Sequence, residues 1–120
     1  MAGRTVGSAQ RGIKRTAPGT PGLTEKQIEH MGDKLMFALG FSIIRFSQPR
    51  NTMQTPGIPD RLYLHEGEGL AVWWEAKTAK GVTSYAQQEF QRMALVCGHQ
   101  HVLGTDDALL AWCRTQGLVQ

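Results

Sequence analysis

The sequence predicts one α/β domain whose elements run α-β-β-β-α-β-α, and three observations predict it. Two capping boxes, Thr24 with Gln27 and Ser84 with Gln87, each open a stretch of helical apolar period. Between them, "DRLYLHE" and "LAVWWEAK" read as strands joined by "GEG", a glycine-containing hairpin signal. A short apolar run, "HQHVLG", then separates the second helix from a third one capped at Thr105. At 120 residues the chain lies within the usual single-domain range of roughly 100 to 150 residues, and it can bury a core without metal or disulfide staples.

Residues 1–22 form a tail rich in Gly, Thr, Ala and Pro, without apolar period, expected to be flexible. Arg4, Arg11, Lys14 and Arg15 lie there with no acid, so the tail accounts for the whole net charge of +3 and the remainder sums to −1. Such an arm suits phosphate contact, with Arg11, Lys14 and Arg15 as candidates, and equally reads as a solvated tail. The domain proper spans 23–120.

The first helix starts after Thr24, with Leu23 and Ile28 as its hydrophobic staple, and places Ile28, Met31, Leu35 and Leu39 on one stripe before Gly40 stops it. Glu25 and Glu29 lie one turn apart on the flank of that stripe. "FSIIRF" is a strand, and "SQPRNTMQTPGIP" is a long loop of the kind that often carries function. After the hairpin, Ala86, Phe90, Met93, Ala94 and Cys97 form the buried stripe of the second helix, closed by Gly98. Ala108, Leu109, Ala111 and Trp112 supply the buried side of the last helix, with Asp106 and Asp107 in its positive first turn.

Strand alternation puts Ala71, Trp73, Glu75 and Lys77 on one face, and Leu70, Val72, Trp74 and Ala76 on the other. Strand propensity gives no reason for Glu75 and Lys77 there. Pro59 stiffens the entry to the preceding strand. A hairpin turn centred near Gly67 and Glu68 sets Asp60 opposite Glu75. Two carboxylates meeting at a sheet end repel, and a divalent cation between them relieves the repulsion; oxygen ligands suit Mg²⁺ or Mn²⁺. Lys77 beside them is placed to orient a water or to stabilise negative charge on a phosphodiester. The bland alternative, charges that merely solvate a sheet end, fits an isolated E-x-K but not the aspartate in register.

"GIPD" followed by "WWEAK" resembles the PD-(D/E)xK nuclease superfamily, and "TAKG", "QQEFQRMALVCG" and "VLGTDDALLAW" resemble its VRR-NUC branch, the virus-type replication-repair nucleases. The likeness covers about residues 24 to 113. It implies a restriction-endonuclease-like core, a mixed sheet flanked by helices, and a metal-dependent endonuclease acting on DNA, structured or branched, in replication or repair. It further implies Asp60 and Glu75 as metal ligands with the Ala76 carbonyl, Lys77 at the attacking water, and Gln87 on the helix after the strand. Glu29 on the first helix joins them, with Glu25 in reserve. A stand-alone member of this branch is expected to be a homodimer. The paired tryptophans depart from the aliphatics usual in that strand, and no further DNA-recognition domain is expected within these 120 residues. A noncatalytic nucleic-acid-binding module with the same fold, and a restriction-type nuclease, are the alternatives.

Lys80, Arg50 and Arg61 are candidate phosphate contacts and equally plausible solvated charges. Trp73 reads as core rather than a base-stacking platform. His99 and His101 share a strand face but lack a third ligand for zinc. The two cysteines, Cys97 and Cys113, read as small buried thiols. No run is long enough to span a bilayer and no secretory segment opens the chain, so a cytoplasmic protein of a bacterial or phage-infected cell is expected, with no membrane partner and no small-molecule cofactor.

Overall fold

The computed structural model describes residues 22–46 and 55–120. The tail residues Arg11, Lys14 and Arg15, and Arg50 in the long loop, lie outside the described residues.

The elements follow the expected order: α1 (Glu25–Ala38), β1 (Ser42–Arg45), β2 (Arg61–His65), β3 (Leu70–Ala76), α2 (Tyr85–Val96), β4 (Gln100–Gly104) and α3 (Asp106–Thr115). Both capping boxes form. Thr24 Oγ1 accepts from the Gln27 amide at 3.1 Å while the Gln27 side chain accepts from the Thr24 amide at 2.8 Å. Ser84 and Gln87 repeat the exchange at 3.1 and 2.9 Å. Gly40 and Gly98 follow their helices with φ of 97° and 82°, the left-handed conformation that ends a helix without side-chain strain.

The four strands form one mixed sheet in the order β1-β2-β3-β4. The first three are antiparallel neighbours, and β4 runs parallel to β3 after the α2 crossover. In the hairpin Arg61 faces Trp74 and Leu62 faces Trp73, so the expected register holds, and its next step sets Asp60 beside Glu75. Val72, Trp74 and Ala76 are buried with Tyr63 and Val102 against Ile28 and Met36 of α1 and Leu109 and Cys113 of α3. Trp73 points the other way, with its ring centroid 5.1 Å from that of Phe90 on α2. Helices α1 and α3 therefore cover one face of the sheet and α2 part of the other.

Three expectations about burial change. On α1 the buried positions other than the acids are Ile28, Gly32 and Met36, whereas Met31, Leu35 and Leu39 are half-buried. Gly32 decides this, because a Cβ there would collide with the Trp74 ring; the helix lays that bare turn directly against the indole. On α2 only Ala94 is buried, while Met93 is 50% exposed and Cys97 exposed, since the helix rests mainly on edge strand β4. Cys97 is thus a free surface thiol, and Cys113 is the buried one, its Sγ donating to Met36 Sδ at 3.6 Å. On α3, Cys113 joins Leu109 in the core and Ala111 faces solvent. No helix among the described residues is long and apolar enough to cross a membrane.

Candidate carboxylate site

The turn that delivers Asp60 is built by "TPGI". Ile58 donates its amide to the Thr55 carbonyl at 3.2 Å, and Gly57 takes φ of 81° at the position where a type II turn requires it. A Cβ on Gly57 would strike the Ala86 carbonyl, so the turn lies directly on the first turn of α2. Pro59 is fully buried and anchors the entry to β2. Asp60 then sits at the mouth of that strand. Its carbonyl accepts from the Phe46 amide at 2.9 Å, and its Oδ2 accepts from the Ala76 amide at 3.0 Å. This last bond ties the aspartate to the strand that carries Glu75.

Glu75 is 3% exposed, and its Oε1 is buried with no hydrogen-bond partner. Its Oε2 accepts from Gln87 Nε2 at 2.7 Å, and Lys77 Nζ lies 3.9 Å away. Gln87 holds two posts at once, because its amide oxygen caps α2 through Ser84 while its nitrogen grips Glu75. The capping box therefore fixes which way that amide points. Burial, and then the charge of Asp60, push the Glu75 carboxyl up to about 8, while Lys77 pulls against them.

From the helix side come Glu25 and Glu29. One carboxylate oxygen each from Glu25, Glu29 and Asp60 lie within 4.8 Å of one another. Glu29 is buried, and burial followed by the charge of Asp60 raises its pKa. The fold thus gathers Asp60, Glu75, Lys77, Gln87, Glu29 and Glu25 at one end of the sheet, from four separate elements. Ala76, fully buried, ends β3 between Glu75 and Lys77. Lys80 is exposed four residues beyond the strand.

Arg61 is placed differently from its expected phosphate contact. Its guanidinium is turned inward, with a side chain only 6% exposed. Nε and Nη2 donate to the two oxygens of Asp33 at 2.9 and 3.1 Å, Nη1 donates to the Asp60 carbonyl at 3.0 Å, and Nη2 reaches Glu29 Oε1 at 3.5 Å. Burial opposes a charged guanidinium, but the bond and charge of Asp33 outweigh it, so Arg61 is held in its charged form. Tyr63 donates to Asp33 Oδ1 at 2.7 Å, and burial together with Asp33 raises its pKa. Arg45 approaches Asp33 from the surface at 3.4 Å.

Sequence patterning did not single out Asp33 or Tyr63. A signal existed: Glu25, Glu29 and Asp33 recur every four residues, which makes one acidic row along α1. Arg61 and Tyr63 alternate on the strand face that α1 covers, where a cation is out of place unless paired.

Trp73 is half-buried between Phe46 and Phe90, and its Nε1 donates to His99 Nδ1 at 3.2 Å. His99 is thereby occupied as a hydrogen-bond acceptor. On the same sheet face, toward the hairpin and away from the carboxylates, Leu62, Leu64, Ala71 and Trp73 border a groove of 390 Å³.

Compared with protein-family models, with curated proteins and with solved structures, the chain matches none.

Proposed function

We propose that this chain is a divalent-metal-dependent nuclease with a PD-(D/E)xK core of the VRR-NUC kind, hydrolysing phosphodiester bonds of structured or branched DNA. One observation carries the reading: Glu75 is buried with an unpartnered carboxylate oxygen, beside a second acid, on a strand that next presents a lysine. A buried carboxylate without a donor is costly unless something charged or protic completes it. The donor set is all oxygen, which favours Mg²⁺ or Mn²⁺.

In this reading Asp60, Glu75 and the Ala76 carbonyl hold the cation, with Glu29 and Glu25 closing the helix side. A divalent ion held there would supply Lewis acidity, which lowers the pKa of a water and offsets charge on the scissile phosphate. Lys77, held near Glu75, orients the attacking water and stabilises the negative charge that develops on the phosphate oxygens. Gln87 keeps Glu75 from rotating out of the site. Lys80 meets a flanking phosphate. DNA as partner, a homodimer that sets two such sites on one substrate, and a cytoplasmic location belong to the same proposal.

A DNA panel tests it. Purified protein should nick or cut supercoiled, flapped or four-way DNA with Mg²⁺ or Mn²⁺, not with EDTA, and Asp60→Ala should abolish cutting. Intact substrates in both metals would overturn the proposal. DNA binding that persists in EDTA, with no heat on adding Mn²⁺, would move the chain to the noncatalytic binding modules.

A further inference from the structure

We infer that Arg61 is a positioning residue of the carboxylate site, setting Glu29 and Asp60 at the spacing a divalent cation requires; this rests on the proposed metal site. The guanidinium has one branch fixed and another aimed. Nε and Nη2 lock onto both oxygens of Asp33, a planar two-point bond that fixes the plane of the fork. The same rigid plane then directs Nη1 at the Asp60 carbonyl, 3.0 Å away, and Nη2 at Glu29 Oε1, 3.5 Å away.

The uneven distances matter. The guanidinium lies closer to Asp33, at 2.9 and 3.1 Å, than to Glu29 Oε1, at 3.5 Å. Glu29 is therefore held by a longer bond than Asp33 is, and one of its carboxylate oxygens stays within 4.8 Å of one each from Asp60 and Glu25. The two-point bond to Asp33 keeps Arg61 from sliding forward onto the site acids, and the bond from Tyr63 Oη to Asp33 Oδ1 at 2.7 Å is separate from it. Outer partners of this kind change metal affinity about 10- to 100-fold when altered. Burial supports the assignment, since the Arg61 side chain is 6% exposed and cannot serve a nucleic acid at the surface.

The test uses Mn²⁺ alone, by calorimetry, and melting with EDTA or with Mn²⁺. Arg61→Lys keeps the charge and loses the fork; Mn²⁺ should bind it at least about tenfold more weakly, and Mn²⁺ should raise its Tm less than it raises the parent's. Tyr63→Phe leaves Arg61 on Asp33; its Tm in EDTA should drop while its Mn²⁺ affinity stays within twofold. Asp33→Asn releases the guanidinium toward Glu29 and should also weaken Mn²⁺ binding, though it touches no ligand. If Arg61→Lys folds and binds Mn²⁺ as the parent does, or if it does not fold and Asp33→Asn binds as the parent does, the inference is overturned. Absence of Mn²⁺ binding by the parent itself sinks the metal reading, and a parent that binds with indifferent variants sinks only the role of Arg61.

Discussion

Glu75→Gln should stabilise the metal-free protein at alkaline pH. The Glu75 carboxyl is pushed up to about 8 from an ordinary 4.5, first by burial and then by the charge of Asp60. Between those two values the folded chain keeps a proton that the unfolded chain has released. Stability therefore falls as pH rises through that window and levels off above about 8. Each tenfold change in proton affinity is worth about 1.36 kcal/mol. From pH 5 to pH 8.5 the parent should thus lose on the order of 4 kcal/mol through this group, a Tm difference of at least about 10 °C for a domain of this size. Glutamine keeps the volume and can still accept the Gln87 bond through its amide oxygen, but it has no charge to bury. Calorimetric melts in EDTA should nearly coincide for parent and variant at pH 5 and separate at pH 8.5, with the variant higher. Adding Mn²⁺ at pH 8.5 should raise the parent and leave the variant unmoved. Parallel melting curves across the whole range would refute the reasoning, because they would mean that ionising Glu75 costs the fold nothing.

Lys77→Met should leave Mn²⁺ binding no weaker than in the parent, since the lysine is not a ligand, while single-turnover cleavage slows roughly 10²- to 10³-fold; equal rates would remove Lys77 from the chemistry. Gly57→Ala forces a side chain into the left-handed φ of 81° and against the Ala86 carbonyl, so urea titration should show a loss of about 1 to 3 kcal/mol, and an unchanged midpoint would contradict the turn at Thr55–Ile58.

Much of the architecture was legible because its causes are local. Capping boxes at Thr24 and Ser84, glycines at 40 and 98, and the two-residue period of "LAVWWEAK" act over a few residues, and each produced the expected element. The Asp60 and Glu75 juxtaposition was legible for a related reason, since a short hairpin loop fixes the register of both strands. The exposed flank of α2 was not, because nothing local says how far a helix sits over an edge strand.

The inward turn of Arg61 was likewise beyond the sequence alone. Its role depends on which face α1 presents, and that rotation is set where Gly32 admits the Trp74 ring, two residues 42 positions apart. The sequence by itself determined the elements, their order and the acids that share a strand end, since those depend on backbone chemistry between near neighbours. Only tertiary packing decided that Asp33, Arg61 and Tyr63 close behind those acids, because the free energy of burying a charge is defined by partners that the chain brings together only when folded.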